Sequence, residues 1–522
     1  MTTPPPTVST IPALLAAARR DSPDRPAVEG RAGTLTYAEL DEHVARTAGT
    51  LFRLGVRAGD RVAATLPNDL DIIVCFHATV RLGAIWVGIN AALATAEKTV
   101  LLQRSTPTVY LCNPSTADFV AQAVAALPGG PTLVRVSGGG GRAWSSDLGH
   151  VEPVTDGGSV GPHTPAAIAY TSGTSGVPKG VTLSHGNLLL PALSLAATRG
   201  YGPTLRKADC LPMTIVSLLV LSTLLTTAAR GCTVAMDRRD LDGIVEWLRA
   251  SSPTAWNGVP AMFHDMLARP DLDTDDLRSL AEVWTGGTAC PPALRAAFHD
   301  RFGIWISKTY GLTEAPTIIA IDDAGAPGRP DSSGRPLPQF DLAARSDDGR
   351  RLPAGDIGEI CVRAATTGAW AYRYRPMLGY WPVPAGESSA SDGWLHTGDI
   401  GFVDTDDTLH ILERKQNLII RGGANVYPAE VEAVVSALPN VHACVAFGVP
   451  DDRLGERVAI VVEQSAATPA NPDAIHSACR SALARYKVPE QVHFVAELPR
   501  NPMGKIERAK ATAQFLDAPA PR

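Results

Sequence analysis

Apolar positions along this chain follow two rhythms that take turns. Arg61 to Leu66 (RVAATL) and Ala166 to Tyr170 are short apolar runs of strand length, and the second passes directly into a loop of Gly, Ser and Thr. Elsewhere the spacing is helical. Ile11 to Ala18 reads as a short apolar helix, and Leu241, Ile244, Trp247 and Leu248 fall on one face of a helix over Leu241 to Arg249. Strands alternating with helices predict an α/β protein built in layers.

Two changes of texture divide the chain. From about Ser137 to Pro165 it turns rich in Gly, Ser and Pro, starting at Gly138-Gly139-Gly140-Gly141, which predicts a surface connection. Near Arg414 to Asn417 the α/β pattern begins afresh. A helix starting at Pro428 carries Val431, Val434, Val435 and Leu438 at i, i+3, i+4 and i+7, and strands follow near Val441 to Val449 and Val458 to Val462. The expected organisation is a large α/β domain of several subdomains over 1–415 and a small, mobile α/β domain over 416–522, with no internal repeat.

Composition narrows the class. A chain of 522 residues exceeds one hydrophobic core, and 45% hydrophobic against 19% charged residues describes a folded protein. The formal charge of −6 comes without a long basic run, which argues against nucleic acid or a polybasic membrane patch as partner. The start, Met1-Thr2-Thr3-Pro4-Pro5-Pro6, lacks the features of a signal peptide, and no apolar stretch is long enough to span a bilayer. A soluble, cytoplasmic enzyme is expected. The eight cysteines are scattered without a CxxC pair, so they read as small buried hydrophobes.

The sharpest local signal is Tyr170-Thr171-Ser172-Gly173-Thr174-Ser175-Gly176-Val177-Pro178-Lys179-Gly180 after a strand. Glycines let backbone amides approach a polyanion, hydroxyls add donors, and Lys179 adds positive charge, so a phosphate-binding loop is predicted. It is not a Walker A loop, because Val177 and Pro178 separate Gly176 from Lys179.

This loop resembles the signature of the adenylate-forming superfamily, which comprises acyl-CoA synthetases, peptide-synthetase adenylation domains and beetle luciferases. Five further segments match in the family's order: Trp284 to Thr288 (WTGGT), Tyr310 to Glu314 (YGLTE), Gly393 to Asp399 (GWLHTGD), Glu413-Arg414 with Arg421-Gly422-Gly423, and Pro502 to Ile506 (PMGKI). The chain looks most like an acyl-CoA synthetase. The resemblance implies ATP, Mg²⁺ and coenzyme A as the groups handled, with a small-molecule carboxylic acid as the second substrate.

It also implies roles. Thr171, Ser172, Gly173, Thr174, Ser175, Gly176 and Lys179 would hold the β- and γ-phosphates. Gly286, Gly287 and Thr288 would line the adenine site, and Tyr310, followed by Gly311, would pack on the base. Asp399 would accept hydrogen bonds from the ribose hydroxyls, with Arg414 assisting. Thr313 would touch the α-phosphate and Glu314 would hold Mg²⁺, with Thr171 as a second candidate metal contact. Lys505 would stabilise charge on the substrate carboxylate and α-phosphate. Gln416 occupies the hinge position about which the small domain would swing, withdrawing Lys505 so that Arg421, Gly422 and Gly423 line the pantetheine tunnel.

This chain departs from the family at two places. Gln416 and Asn417 are uncharged where relatives more often carry charge. In Leu211 to Ser217 (LPMTIVS), Thr214 and Ile215 replace an aromatic residue and a His, and the segment holds no acidic residue for an α-ammonium group. A bulky apolar acid is therefore expected, against a wall including Thr214, Ile215, Trp256, Asn257, Gly258 and Trp284. Three other readings stay open: a specialist that only thiolates supplied acyl-AMP, an enzyme that loads a separate carrier protein, and a non-catalytic nucleotide-binding paralogue. Oligomeric state is not legible.

Overall fold

The two rhythms resolve into strands and helices that build two contact units, the larger comprising Met1–Leu342 with Val362–Leu395 and the smaller Ala343–Cys361 with His396–Arg522. In this computed structural model the described residues are 8–138, 151–155, 160–171, 178–287, 290–329, 332–382, 393–464, 471–500 and 506–516. The predicted Gly-rich connection falls partly outside them, as do 172–177, 288–289 and 501–505.

Two large sheets organise the first unit. One runs in the order 335–336, 320–321, 306–310, 282–286, 255–257, 206–209, 232–235, 26–30, 33–36, and its six central strands are parallel. The other runs 379–381, 179–184, 165–171, 85–88, 61–65, 109–112, 132–135, parallel except for the edge made by 179–184 and 379–381. Helix Leu70–Arg81 touches strands of both sheets, and all its residues are buried. That is why its sequence is apolar all round rather than striped. Of its polar members, Arg81 pairs with Asp41, and His77 Nε2 meets Thr223 Oγ1 at 3.1 Å while His77 Nδ1 has no hydrogen-bond partner among the described residues. Burial pushes the His77 imidazole down to about 3, so it stays neutral.

The expected elements form. Helices occupy Ile11–Asp21, Leu241–Ser251 and Pro428–Ser436, and strands occupy Arg61–Thr65, Pro165–Thr171, Val441–Asp451 and Gly455–Gln464. All eight cysteines are buried and free.

In the smaller unit, Val441–Asp451 and Gly455–Gln464 form a long hairpin, extended by Gln491–Val495 in parallel and by Ile419–Arg421. Helices Pro428–Ser436 and Pro472–Ala482 cover one face over Val431, Val435, Val458, Ile460 and Ile475. By contacts the smaller unit takes in 343–361 and 396–415 along with the residues beyond 415/416, where the sequence pattern restarts, and strand Leu409–Arg414 is hydrogen-bonded to Leu395–Val403. A linear pattern restart does not register such pairing. Among the described residues, no helix is long and apolar enough to cross a membrane.

Candidate active site

In the larger unit, the hairpin of Pro165–Thr171 and Lys179–Ser184 brackets the predicted phosphate loop, pairing Thr171 with Lys179 across its open end. Ser172, Gly173, Thr174, Ser175 and Gly176 lie outside the described residues. Gly180 is required by its neighbours, since a Cβ there would meet Ile168 Cγ2 at 2.9 Å and the Tyr170 ring at 3.1 Å. Strand Gly379–Trp381 adds to this hairpin with Tyr380 opposite Val181.

Tyr380 joins two residues the sequence singled out. Its hydroxyl donates to Glu314 Oε1 at 3.2 Å, and Lys179 Nζ stands 5.3 Å from its ring centroid. The Met377 N–H donates to the Glu314 carbonyl at 3.2 Å, tying the 311–316 turn to the segment that leads into strand Gly379–Trp381. Burial, then the Glu314 carboxylate, pushes the Tyr380 phenol up to about 12, so it remains a donor at neutral pH. The turn follows strand Ile306–Tyr310, and a Cβ on Gly311 would sit 2.1 Å from the Thr317 carbonyl. Thr313 lies within that turn. Sequence reasoning missed Tyr380; its signal was an aromatic pair, Tyr380-Trp381, between Gly379 and Pro382.

Gly286 and Gly287 close strand Glu282–Gly286, with Gly287 at φ +74°, and both are exposed. Thr288 lies outside the described residues. A Cβ on Gly286 would approach Thr309 Oγ1 to 2.1 Å, so this strand end needs glycine.

The six candidates for the acyl wall do not share a face. Strand register places Asp209, Asn257 and Trp284 in one row across three parallel strands. Trp256, one residue off, points to the opposite face and packs edge-on to Phe263, 5.6 Å between centroids, within an apolar core. Thr214 is buried, and its carbonyl lies against strand Ile85–Gly88, where a Cβ on Gly88 would come within 1.8 Å of it. Asn68 pins this segment by accepting from the Met213 N–H at 2.8 Å and donating to the Leu211 carbonyl at 2.9 Å. Ile215 is half-buried and Gly258 is buried beside Phe263.

That row holds charge the sequence reading overlooked. The absence of acid from Leu211 to Ser217 holds for that segment alone, because Asp209 lies two residues upstream. Lys207 and Asp209 are fully buried, with Lys207 Nζ at 3.3 Å from Asp209 Oδ2 and 5.0 Å from the Trp284 ring. Burial pushes the lysine down and the carboxyl up, each opposed by the other's charge. The signal was Lys207-Ala208-Asp209, charge at i and i+2 in a strand at the centre of a parallel sheet.

In the smaller unit, Asp399 and Arg414 face each other across an antiparallel pair and form an ion pair of 2.7 Å, with the Asp399 side chain 4% exposed and Arg414 46%. Lys415 Nζ reaches Asp347 and Glu359, each at 3.1 Å, and Asn417 Nδ2 donates to Glu413 Oε1 at 2.9 Å. Both neighbours of exposed Gln416 are thus tethered. Arg421 is held by Glu490 and donates to the Tyr486 carbonyl at 2.7 Å. Gly422 and Gly423, at φ +58° and +81°, make the two-residue turn between Arg421 and Ala424, a backbone that favours glycine. Lys505 lies outside the described residues.

A fold of this kind, with a two-sheet unit ending in glycine turns and a smaller α/β unit, is matched throughout by known proteins. Residues 15–381 match the family model for the AMP-binding enzyme, and 430–505 match that for the AMP-binding enzyme C-terminal domain. The chain belongs to this adenylate-forming acyl-CoA ligase family. It is 33% identical to a feruloyl-CoA synthase of an Amycolatopsis species over 95% of this chain and 97% of that one. An indoleacetate–CoA ligase of Aromatoleum aromaticum is 32% identical over 93% and 94%. The crystal structure of ATP-bound MatB from Rhodopseudomonas palustris superimposes with a TM-score of 0.87 at 30% identity, covering 97% of this chain and 99% of MatB.

Proposed function

We propose that this chain joins a bulky, largely apolar carboxylic acid to coenzyme A at the expense of ATP, through an acyl-AMP intermediate. The reading is supported by family membership and by relatives named for CoA ligation of acids with ring systems. The observation that carries it is Tyr380, which gathers Glu314 and Lys179 at the mouth of the predicted phosphate loop.

A carboxylate oxygen attacks the α-phosphorus, the bond to the bridging oxygen breaks, and pyrophosphate leaves. The CoA sulfur then attacks the acyl carbon, the bond to AMP oxygen breaks, and the thiol proton is lost to solvent. Lys179 and the 171–176 loop would hold the departing phosphates. Asp399, oriented by Arg414, would accept from the ribose hydroxyls. Lys505 would stabilise the charge redistributed in the first step, and a swing at Gln416 would exchange it for Arg421, Gly422 and Gly423 in the second.

A single half-buried carboxylate at Glu314 suits Mg²⁺, a hard cation that takes one or two carboxylates and brings nucleotide phosphates and water as its other ligands. No group of three metal-ligating side chains occurs among the described residues. Bound there, it would neutralise phosphate charge.

The test is mass spectrometry of products from a panel of aromatic, fatty and polycyclic acids with ATP, Mg²⁺ and CoA, alongside Lys505→Ala. Thioester from free acid, lost in the variant, supports the full ligase. Thioester from supplied acyl-AMP alone identifies a thiolation specialist, acylation of a carrier protein but not of CoA identifies a carrier-loading enzyme, and nucleotide binding with no product identifies a non-catalytic paralogue.

A further inference from the structure

The row of side chains that includes two candidate acyl-wall residues is not an apolar wall. Successive strands of the larger sheet present Lys207 and Asp209, then Asn257, then Trp284, on one face. The opposite face, with Ala208, Trp256 and Val283, is ordinary apolar core. Within the polar row two donors are aimed at one carboxylate oxygen: Lys207 Nζ at 3.3 Å and Asn257 Nδ2 at 3.2 Å both address Asp209 Oδ2, while Lys207 Nζ also reaches the Ala208 carbonyl at 3.2 Å and Trp284 Nε1 donates to Glu282 Oε2 at 2.8 Å. The Asp209 backbone carbonyl also receives Asn68 Nδ2, at 3.3 Å.

The other oxygen, Asp209 Oδ1, is fully buried and has no hydrogen-bond partner among the described residues. Thr214 Oγ1, on the neighbouring candidate wall segment, is in the same condition. Buried polar atoms in folded proteins are nearly always paired, and an acceptor left without a donor is costly. A lysine and an asparagine held on one oxygen while its twin stays open describe a prepared acceptor.

Its position sets a length. Gly286 lies two residues beyond Trp284 on the same face, and Asp209 lies two strands away from Trp284. Two residue rises and two strand spacings put the Asp209 and Gly286 Cα atoms roughly 12 Å apart along the sheet. With Gly286 lining the nucleotide site, a group at Asp209 would lie about that far from the nucleotide, a reach that an acid with a ring between its two ends covers.

We propose that Asp209, oriented by Lys207 and Asn257, is a specificity-determining residue that selects carboxylic acids bearing a hydrogen-bond donor, a hydroxyl or N–H, at the end remote from the carboxylate. This rests on the ligase reading above and refines its substrate: the acid is apolar along its length and polar at its tip. A site built to bond a buried donor rejects the analogue that lacks it far more strongly than an apolar pocket rejects one methylene.

The experiment compares matched arylalkanoic and arylalkenoic acids that differ only at the distal position: hydroxyl, methoxy, methyl or hydrogen. Acyl-AMP formation is read as kcat/KM by pyrophosphate release, in the wild type and in the double variant Lys207→Met with Asp209→Leu, which removes both buried charges together. The expected result is a wild-type preference for the hydroxyl acid of about 100-fold or more over the methyl and hydrogen analogues. The double variant should lose that preference while still adenylating the methyl acid. Equal wild-type treatment of all four acids, or a preference that survives in the double variant, overturns the proposal. The wild-type comparison decides even if the variant does not fold. No acyl-AMP from any acid would overturn the ligase reading together with this one, whereas turnover without discrimination overturns this one alone.

Discussion

Replacing Tyr380 by Phe deletes one oxygen and leaves the ring in place. The lost interaction is the hydroxyl donor to Glu314 Oε1 at 3.2 Å, and the retained one is the Lys179 ammonium 5.3 Å from the ring. A hydrogen bond to a charged group contributes about 1.5–3 kcal/mol, and the lower end applies because both partners are half-buried and water replaces part of the loss. If Glu314 orients the metal–nucleotide complex, ~1.5 kcal/mol should appear as about a tenfold fall in kcat/KM for ATP–pyrophosphate exchange. The Mg²⁺ concentration needed for half-maximal rate should rise with it. Tyr380→Leu also removes the cation–π contact, about 0.5–1 kcal/mol at such a site, and should cost about threefold more. The phenol stays protonated up to about 12, so the deficit of the Phe variant should be the same from about pH 6 to pH 9. Thiolation of supplied acyl-AMP should be unaffected, which separates a positioning role from general damage. A Phe variant with unchanged exchange kinetics and Mg²⁺ requirement would refute the reasoning. So would a loss of activity matched by a lowered unfolding temperature.

Asp399→Asn should weaken ATP binding by about 10- to 100-fold, from the loss of a charged acceptor worth about 1.5–3 kcal/mol, measured by calorimetric titration; unchanged affinity would remove Asp399 from the nucleotide site. Gly88→Ala should destabilise the larger unit by several kcal/mol, because its Cβ would lie 1.8 Å from a backbone carbonyl that cannot retreat as a side chain could. Denaturant unfolding reads it, and wild-type stability would show that the Thr214 segment yields. Arg508→Ala strands Glu432, which otherwise accepts both Arg508 Nη2 at 2.6 Å and the Ala446 N–H at 2.7 Å, and should cost the smaller unit ~3–5 kcal/mol. Burial already raises the Glu432 pKa despite Arg508, so the folded state holds this proton more tightly than the unfolded chain does, and the penalty on the carboxylate fades as pH falls through the folded value. Without the guanidinium that value rises further. The variant should therefore be less destabilised at pH 5 than at pH 8, and an equal deficit at both would contradict the assignment.

Local periodicity carried much of this protein in plain sight. The strand before the phosphate loop was legible as a short continuous apolar run, and the helices over Leu241–Ser251 and at Pro428 because their burial repeats about every 3.6 residues, each a property of the element alone. The glycine-bearing turns were legible for a similar reason. Gly422 and Gly423 sit at positive φ, and that demand is written at the positions themselves. The family followed from such local signals in order along the chain.

Relations between distant segments had no such trace. The pairing of Leu409–Arg414 with Leu395–Val403 depends on strands meeting in space. Tyr380 reaches Glu314 only because one strand happens to edge the phosphate-loop hairpin and abut the 311–316 turn. Register likewise decided the acyl wall. Trp256 and Asn257 are neighbours in sequence yet face opposite sides of the sheet, while Asp209, Asn257 and Trp284 become neighbours through three strands drawn from separate parts of the chain. A strand's two faces follow from its own residues, but which residues of other strands share a face is set by hydrogen bonding across the sheet. Chemistry assembled by that pairing belongs to the tertiary structure.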